Sequence, residues 1–379
     1  MIKLKKFCLA IIVTLLLTGA ALAADPIRIG VYQPITGRSQ IGGGPIELEG
    51  TLLAHQEFPE VLGRKIELFV IDNESDRVEA ANAVQRLIEE HKVVAIIGCY
   101  GSSLAMAGGE VAEKAGIPCM GTSCTNPLVT EGKDYYFRAT FIDPFQGAGA
   151  ATYAARELNF KTAAVLVDLG NDYSVSLAGF FKKTFEKLGG TIVTELRYQS
   201  GDNDFTAQLT EIISRNPDFV YLPAYFAEGA IILKQARELG ATFPFIGGDA
   251  MDNPAIVELG GSAVEGLMHT TFACDLSMPN MSEVAKHFTD AWRKFKPEKE
   301  PNVNAALGYD SYLLVRDAIA RAGSDNPKAI RDALAVTKDF PAVTGITTLN
   351  ATGDAEKEVG IVKIVNGQKT FLGLIQPEM

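Results

Sequence analysis

Apolar and polar positions alternate along this chain in two periods that take turns. Ile27-Arg28-Ile29-Gly30-Val31-Tyr32 and Ile66–Ile71 read as strands. Val78–Glu90 carries Ala81, Val84, Leu87 and Ile88 on one face of a helix. Val93–Ile97 and Ile117–Met120 are further strands, with a helix over Ser102–Ala115 between them, and a helix over Pro45–Phe58 follows the glycines 42–44. The alternation restarts after Asp143, with strands at Ala163–Val167, Ile192–Tyr198, Phe219–Leu222 and Phe245–Gly247. Helices are expected at Phe145–Leu158, Ser174–Leu188, Phe205–Arg215 and Glu228–Leu239. Strands alternating with helices in this way build βαβ units and parallel sheets. The run is too long for one open sheet, so two sheets and two lobes are expected.

The last third breaks the rhythm. Val284–Phe295, Ala305–Ala322 and Pro327–Val336 are helices without intervening strands, and they must pack on a sheet already made. Val359–Val365 and Thr370–Ile375 flank Asn366-Gly367, a strong hairpin-turn signal. The chain is therefore expected to return to the first lobe, crossing near Phe141–Asp143, His269–Phe272 and Gly345–Leu349. Several crossings confine relative motion to hinge opening. The fold class is α/β, with two Rossmann-like lobes of mostly parallel sheet joined by a three-strand hinge. Lobe 1 is expected to comprise residues 24–142 plus 271–347, and lobe 2 residues 143–270 plus 348–379.

Residues 1–23 stand apart. Lys3, Lys5 and Lys6 precede the apolar run Leu9–Leu17, and Ala21-Leu22-Ala23 has the shape of a signal-peptidase site, so a periplasmic chain starting near Ala24 is expected. The formal net charge of −11 argues against nucleic acid and anionic lipid as partners. Beyond Cys8 in the leader, four cysteines remain: Cys99, Cys119, Cys124 and Cys274. Their spacing makes no zinc site, and either one bridge among the first three or free buried thiols fits. No Walker A motif, GxGxxG or HExxH occurs, and no metal or cofactor is expected.

In parallel α/β sheets, ligands bind at the carboxyl ends of strands, where helix N-termini offer free N–H groups. Polar clusters fall at those places: Gly98–Ser103, Gly121–Pro127, Asp168–Tyr173, Pro223–Tyr225 and Gly247–Asp249. Each also has a plain structural reading. Ser102 could cap a helix, Thr125-Asn126-Pro127 could be a turn, Tyr173 and Tyr225 could be packing residues, and Asp249 could cap the helix near Asn253.

Their order and spacing resemble the periplasmic leucine/isoleucine/valine-binding proteins of ABC importers, on the type I periplasmic binding-protein fold, over essentially the whole mature chain. The resemblance rests on Ile29-Gly30-Val31 through Gly37, Gly98–Ser103, Thr125-Asn126-Pro127, Phe137-Arg138 with Asp143 and Gln146-Gly147, Asp168 with Tyr173, Asp204-Phe205, Tyr225 with Glu228-Gly229, and Gln235-Ala236-Arg237 with Gly240. It implies that Ser102 and Thr125 hold a ligand carboxylate. Ser123 (through its carbonyl), Thr125 and Asp249 would hold an ammonium, Asp249 standing where the family has Glu. Tyr173 and Tyr225 would close over the ligand, and Ile41, Tyr100 and Phe272 would wall its side chain. The implied partners are a small molecule, expected to be an amino acid, and a membrane permease, with the protein a monomer. Another small carboxylate or amide, such as an aromatic acid, and a sensory role at a membrane receptor are the alternatives. The family's disulfide is not reproduced, since Asn73-Glu74-Ser75 holds no cysteine and Gly101 fills the other position.

A hydrolase reading has little to stand on. Gly101-Ser102-Ser103-Leu104-Ala105 lacks the second glycine of a nucleophile elbow, and of His55, His91, His269 and His287 only His269 is expected near the cleft. No enzymatic activity is expected.

Overall fold

The computed structural model describes residues 25–37, 42–272, 274, 276 and 281–378. The expected leader and Ile41 lie outside the described residues.

The strands are β1 (Ile27–Gln33), β2 (Glu60–Val61), β3 (Arg64–Asp72), β4 (Ala95–Ile97), β5 (Cys119–Gly121), β6 (Tyr136–Arg138), β7 (Thr162–Asp168), β8 (Thr191–Tyr198), β9 (Phe219–Leu222), β10 (Phe245–Gly247), β11 (Met268–Phe272), β12 (Phe340–Ala342), β13 (Gly345–Thr347), β14 (Val359–Val365) and β15 (Gln368–Ile375). The helices are α1 (Gly43–Glu57), α2 (Arg77–Glu89), α3 (Ser102–Ala115), α4 (Asp143–Thr152), α5 (Asp172–Lys187), α6 (Thr206–Arg215), α7 (Phe226–Glu238), α8 (Ala255–Gly260), α9 (Glu283–Phe295), α10 (Val303–Ala322) and α11 (Pro327–Ala335).

Two large sheets result, ordered β2-β3-β1-β4-β5-β6 and β15-β14-β11-β10-β9-β7-β8. Pairings from β1 to β6 are parallel except β2 with β3, and β7 to β11 are parallel throughout. Strands such as β4 and β9 are buried along their whole length, as parallel strands covered on both faces must be. The doubly wound, two-lobed architecture expected from the alternation is the one observed.

The late helices return to the first sheet. Gly50 of α1 faces the Ala305 carbonyl of α10, where a β-carbon would stand only 1.9 Å from that oxygen, so glycine alone permits this approach. Trp292, Phe288, Tyr309 and Tyr312 join Ile29, Val31 and Ile97 in the first core. The final hairpin adds β14 antiparallel to β11 and β15 antiparallel to β14. Asn366 and Gly367 have φ of 53° and 69°, as a two-residue hairpin turn requires. The short strands β6, β11, β12 and β13 are not separable as strands in the sequence. The helix expected over Phe145–Leu158 starts at Asp143 and ends in a π-turn at Tyr153–Glu157.

Candidate functional site

Strand β4 ends at Ile97, and the loop that follows carries Tyr100 to the first turn of α3. Ser102 is the first residue of that helix rather than its cap; Gly101 holds the cap position at φ 92°, with no side chain bonded to the helix start. The first N–H groups of α3 are therefore uncapped by any side chain, and a helix N-terminus of this kind favours an anion. A β-carbon on Gly101 would lie 3.2 Å from the Tyr225 hydroxyl, which shows how closely the second lobe approaches here. The Ser102 hydroxyl accepts from the Asn126 N–H at 3.1 Å and so ties this loop to the one after β5.

That second loop holds Ser123 and Thr125. The Thr125 side chain is wholly buried, and its hydroxyl has no partner. Asn126 behaves as turn chemistry, its Oδ1 accepting from the Leu128 N–H at 2.9 Å. The Ser123 and Thr122 hydroxyls both donate to the Glu47 carboxylate, and Gln33 Nε2 donates to it at 3.0 Å. Gln33 Oε1 in turn accepts from the Tyr100 N–H at 2.8 Å. One carboxylate on α1 thus braces both loops. Burial pushes Glu47 up to about 7 against the pull of those three donors.

From the other lobe, Asp249 opens a short 3₁₀ turn after β10. It caps no helix; its Oδ1 accepts from the Tyr173 hydroxyl at 2.9 Å, and its N–H donates to Gln146 Oε1 at 2.7 Å. Burial raises its carboxyl to about 6. Asp143, the first residue of α4, is wholly buried with neither carboxyl oxygen partnered, and burial raises it to about 7. Asp143 and Glu47 both act electrostatically on Asp249. Three buried carboxylates therefore converge where the two lobes meet.

Three tyrosines span the same gap. Tyr225 stacks on Tyr173 with ring centroids 5.6 Å apart and lies tilted against Tyr100 of the first lobe at 5.4 Å. Beside them opens a cavity of about 320 Å³ lined by Tyr100, Gly101, Ser103 and Leu104 on one side and by Asp168, Asn171 and Tyr225 on the other. Ser102, Ser123, Thr125 and Asp249 are buried and do not line that opening. Phe272 stands differently from the other expected wall residues: its ring stacks on Phe141 at 4.5 Å in the first core, with no ring contact to the tyrosines.

The residues expected to mark a hydrolase are otherwise engaged. The Ser103 hydroxyl donates to Asp172 Oδ2 at 2.9 Å. His269 is buried on β11, with Nδ1 2.9 Å from the Thr270 carbonyl. The four described cysteines are buried, and no disulfide forms among the described residues. No cluster that could hold a metal ion occurs among the described residues.

Sequence reasoning passed over Glu47 and gave no role to Asp143 or Gln146. Glu47 had a signal: with Gly50, Thr51 and Ala54 it completes the i, i+3, i+4, i+7 stripe that α1 buries, and a lone carboxylate on such a stripe demands partners. Asp143 and Gln146 form a similar one-turn pair opening α4.

Known proteins with this arrangement can now be compared. Residues 26–369 match the family described as periplasmic binding protein. The leucine-, isoleucine-, valine-, threonine- and alanine-binding protein of Pseudomonas aeruginosa is 27% identical over 338 residues, 88% of each chain. The crystal structure of the leucine-binding protein LivK of Thermotoga maritima superposes with a TM-score of 0.89 at 41% identity, covering 93% of this chain and 99% of that one. The branched-chain amino acid substrate-binding protein LivJ of Streptococcus pneumoniae, solved with isoleucine, gives 0.87 at 32% identity over 93% and 100%. The chain belongs to the periplasmic binding proteins, in the branch of the leucine/isoleucine/valine-binding proteins and on their type I fold.

Proposed function

We propose that this chain is the periplasmic, non-catalytic solute-binding subunit of an ABC importer and captures an α-amino acid with an apolar side chain. Lobe 1 comprises residues 24–142 plus 271–347 and lobe 2 residues 143–270 plus 348–379, with the leader 1–23 removed on export. The observation that carries the reading is the pairing of opposite requirements across one gap. The uncapped start of α3 lies on one side, and the Asp249 carboxylate, oriented by Tyr173, on the other. A zwitterion brings a carboxylate for the first and an ammonium for the second, and each buried charge needs such an answer.

In this reading Ser102 and Thr125 take the ligand carboxylate. The Ser123 carbonyl, the Thr125 hydroxyl and Asp249 take the ammonium. Tyr100 wall the side chain from the first lobe, while Tyr173 and Tyr225 close from the second. Contacts from both lobes exist together only in the closed form, so the ligand shifts the population toward the shape a permease recognises. The amino acids named for the relatives support the choice of ligand class.

A thermal-shift screen of the mature protein tests this, with L-leucine, L-isoleucine, L-valine, L-threonine and L-alanine against benzoate. A ligand at 100 times its dissociation constant adds about 2.7 kcal/mol of stability. Shifts confined to benzoate and other acids without an amine would remove the role of Asp249 and the amino-acid reading.

A further inference from the structure

Arg138, the last residue of β6, is wholly buried, and its guanidinium is directed at one loop. Nη1 donates to the carbonyls of Cys124 at 2.7 Å and Asn126 at 2.8 Å. Nη2 donates to the Pro127 carbonyl at 3.3 Å and to the Thr130 hydroxyl at 2.6 Å. Nε lies 2.6 Å from Asp354 Oδ1, an ion pair without an aligned hydrogen bond. The loop held in this way is the one that carries Thr125.

Asp354 comes from far along the chain. It ends the turn Asn350–Asp354 on the way from β13 to β14, where the chain passes to the second sheet for the last time. Asn350 Oδ1 accepts the N–H groups of Thr352 and Asp354, both at 3.0 Å, which keeps the turn in shape. The Gly353 carbonyl accepts the Arg138 N–H at 2.9 Å, so the turn lies along β6, the edge strand of the first sheet. A β-carbon on Gly353 would stand 2.6 Å from the Tyr136 carbonyl, a measure of how close the approach is. Asp354 Oδ1 also accepts from the Thr130 hydroxyl at 2.7 Å, and Oδ2 from the Thr352 hydroxyl at 2.8 Å.

Apolar side chains could cover this edge equally well, since replacing a buried ion pair by well-packed apolar residues is often neutral for stability or better. What a guanidinium supplies is a rigid planar fork that holds several carbonyls in one geometry. Those carbonyls decide how Thr125 is presented. In a trans peptide the C=O and N–H point to opposite sides, so with the Cys124 carbonyl on Arg138 the Thr125 N–H is aimed away from it. The next peptide is held too, because the Thr125 carbonyl accepts the Asp143 N–H at 2.8 Å. We propose that Arg138 and Asp354 are positioning residues for ligand binding: the guanidinium sets the backbone of residues 124–127 so that Thr125 meets the ligand carboxylate, and the turn at the last crossing anchors the guanidinium. The proposal rests on the amino-acid reading above and extends the site to two side chains that touch no ligand atom.

The test combines calorimetry with the five amino acids of the thermal-shift screen, urea unfolding, and hydrogen exchange over residues 122–127, all on the mature protein. Arg138→Met and Asp354→Leu each leave one buried charge without its partner and should lower stability. The double variant removes both charges and should regain most of that stability. Its affinity should nevertheless stay at least about tenfold below wild type, the cost of re-ordering about one loop residue on binding. Without ligand, its amides at 122–127 should exchange about tenfold faster or more, while those of α10 keep their protection. Arg138→Lys keeps a cation for Asp354 and loses the fork, so it should lose affinity to the same extent with a smaller loss of stability than Arg138→Met.

Affinity that returns together with stability in the double variant overturns the inference, as does unchanged exchange at 122–127; either leaves the amino-acid reading standing. Should the double variant not fold, wild-type affinity in Arg138→Lys overturns the inference in the same way. Wild-type protein that binds none of the five amino acids overturns both.

Discussion

Ser103 and Asp172 clasp each other across the two lobes: the serine hydroxyl donates to Asp172 Oδ2 at 2.9 Å and accepts the Asp172 N–H at 3.2 Å. Arg77 adds an ion pair to the same carboxylate at 3.0 Å, and Asn126 Nδ2 donates to the Asp172 carbonyl at 3.0 Å. These contacts lie at the mouth of the gap and involve no ligand atom, so they favour the closed form whatever is bound. Arg77 and Asp172 are partly exposed, which keeps the ion pair within about 1 kcal/mol. Asp172→Ala should therefore weaken ligand binding less than about tenfold, mainly through faster dissociation. Surface plasmon resonance separates the rates; a loss larger than that, or one confined to association, contradicts a latch.

Asp249 is expected to matter far more. It is buried, held by Tyr173, and in the proposed function it faces the ligand's ammonium. Asp249→Asn keeps the shape and can still accept from Tyr173, so the fold should survive. Affinity for the cognate amino acid should fall by about 2–5 kcal/mol, roughly 30-fold or more. Calorimetry together with a melting curve distinguishes lost binding from lost structure, and near-normal affinity would misplace the ligand's amine.

Binding should also release protons. Burial raises Glu47 and Asp143 to about 7 and Asp249 to about 6, so without ligand these groups hold protons well above the usual carboxylate range. An arriving ammonium favours their ionised forms. Affinity should then rise with pH between about 6 and 7 and level off above. Calorimetry near about pH 6.5 in buffers of different ionisation heat reads the release directly; proton uptake would contradict the assignment.

Glu47 gives a separate stability signature. Its native pKa lies above the unfolded value of 4.5, so the native state keeps a proton that the unfolded chain has lost. The contribution of this group to stability therefore falls as pH rises from 4.5 to about 7. Glu47→Gln removes that slope. Relative to wild type, the variant should gain up to ~3 kcal/mol between pH 5 and pH 8 in urea unfolding. A pH-independent difference would mean that Glu47 does not titrate in this range.

Periodicity made most of this fold readable, because parallel strands and the helices that cover them leave long, regular stripes. The three-residue strand β6 and the crossing strand β11 leave none; they are strands because neighbours already laid down pair with them. At the candidate site, Asp249, Tyr173 and Tyr225 could be singled out from the sequence because each follows a strand end of such a sheet, and the structure brings the three side by side. Phe272 sits in the core against Phe141 because aromatic residues at a crossing serve packing as readily as recognition. Glu47 and the turn of Asp143 and Gln146 act through other residues, and such support shows only when distant segments are brought side by side.

The wiring of the two lobes bears on how the chain is made. The first core needs α10, which begins at Val303, and the second sheet needs β14 and β15, which begin at Val359 and Gln368. A nascent chain emerging from its N-terminus can complete neither half until synthesis is nearly over. Such late closure leaves both halves unfinished, with their sheet and helix faces uncovered, for most of the time the chain is being made.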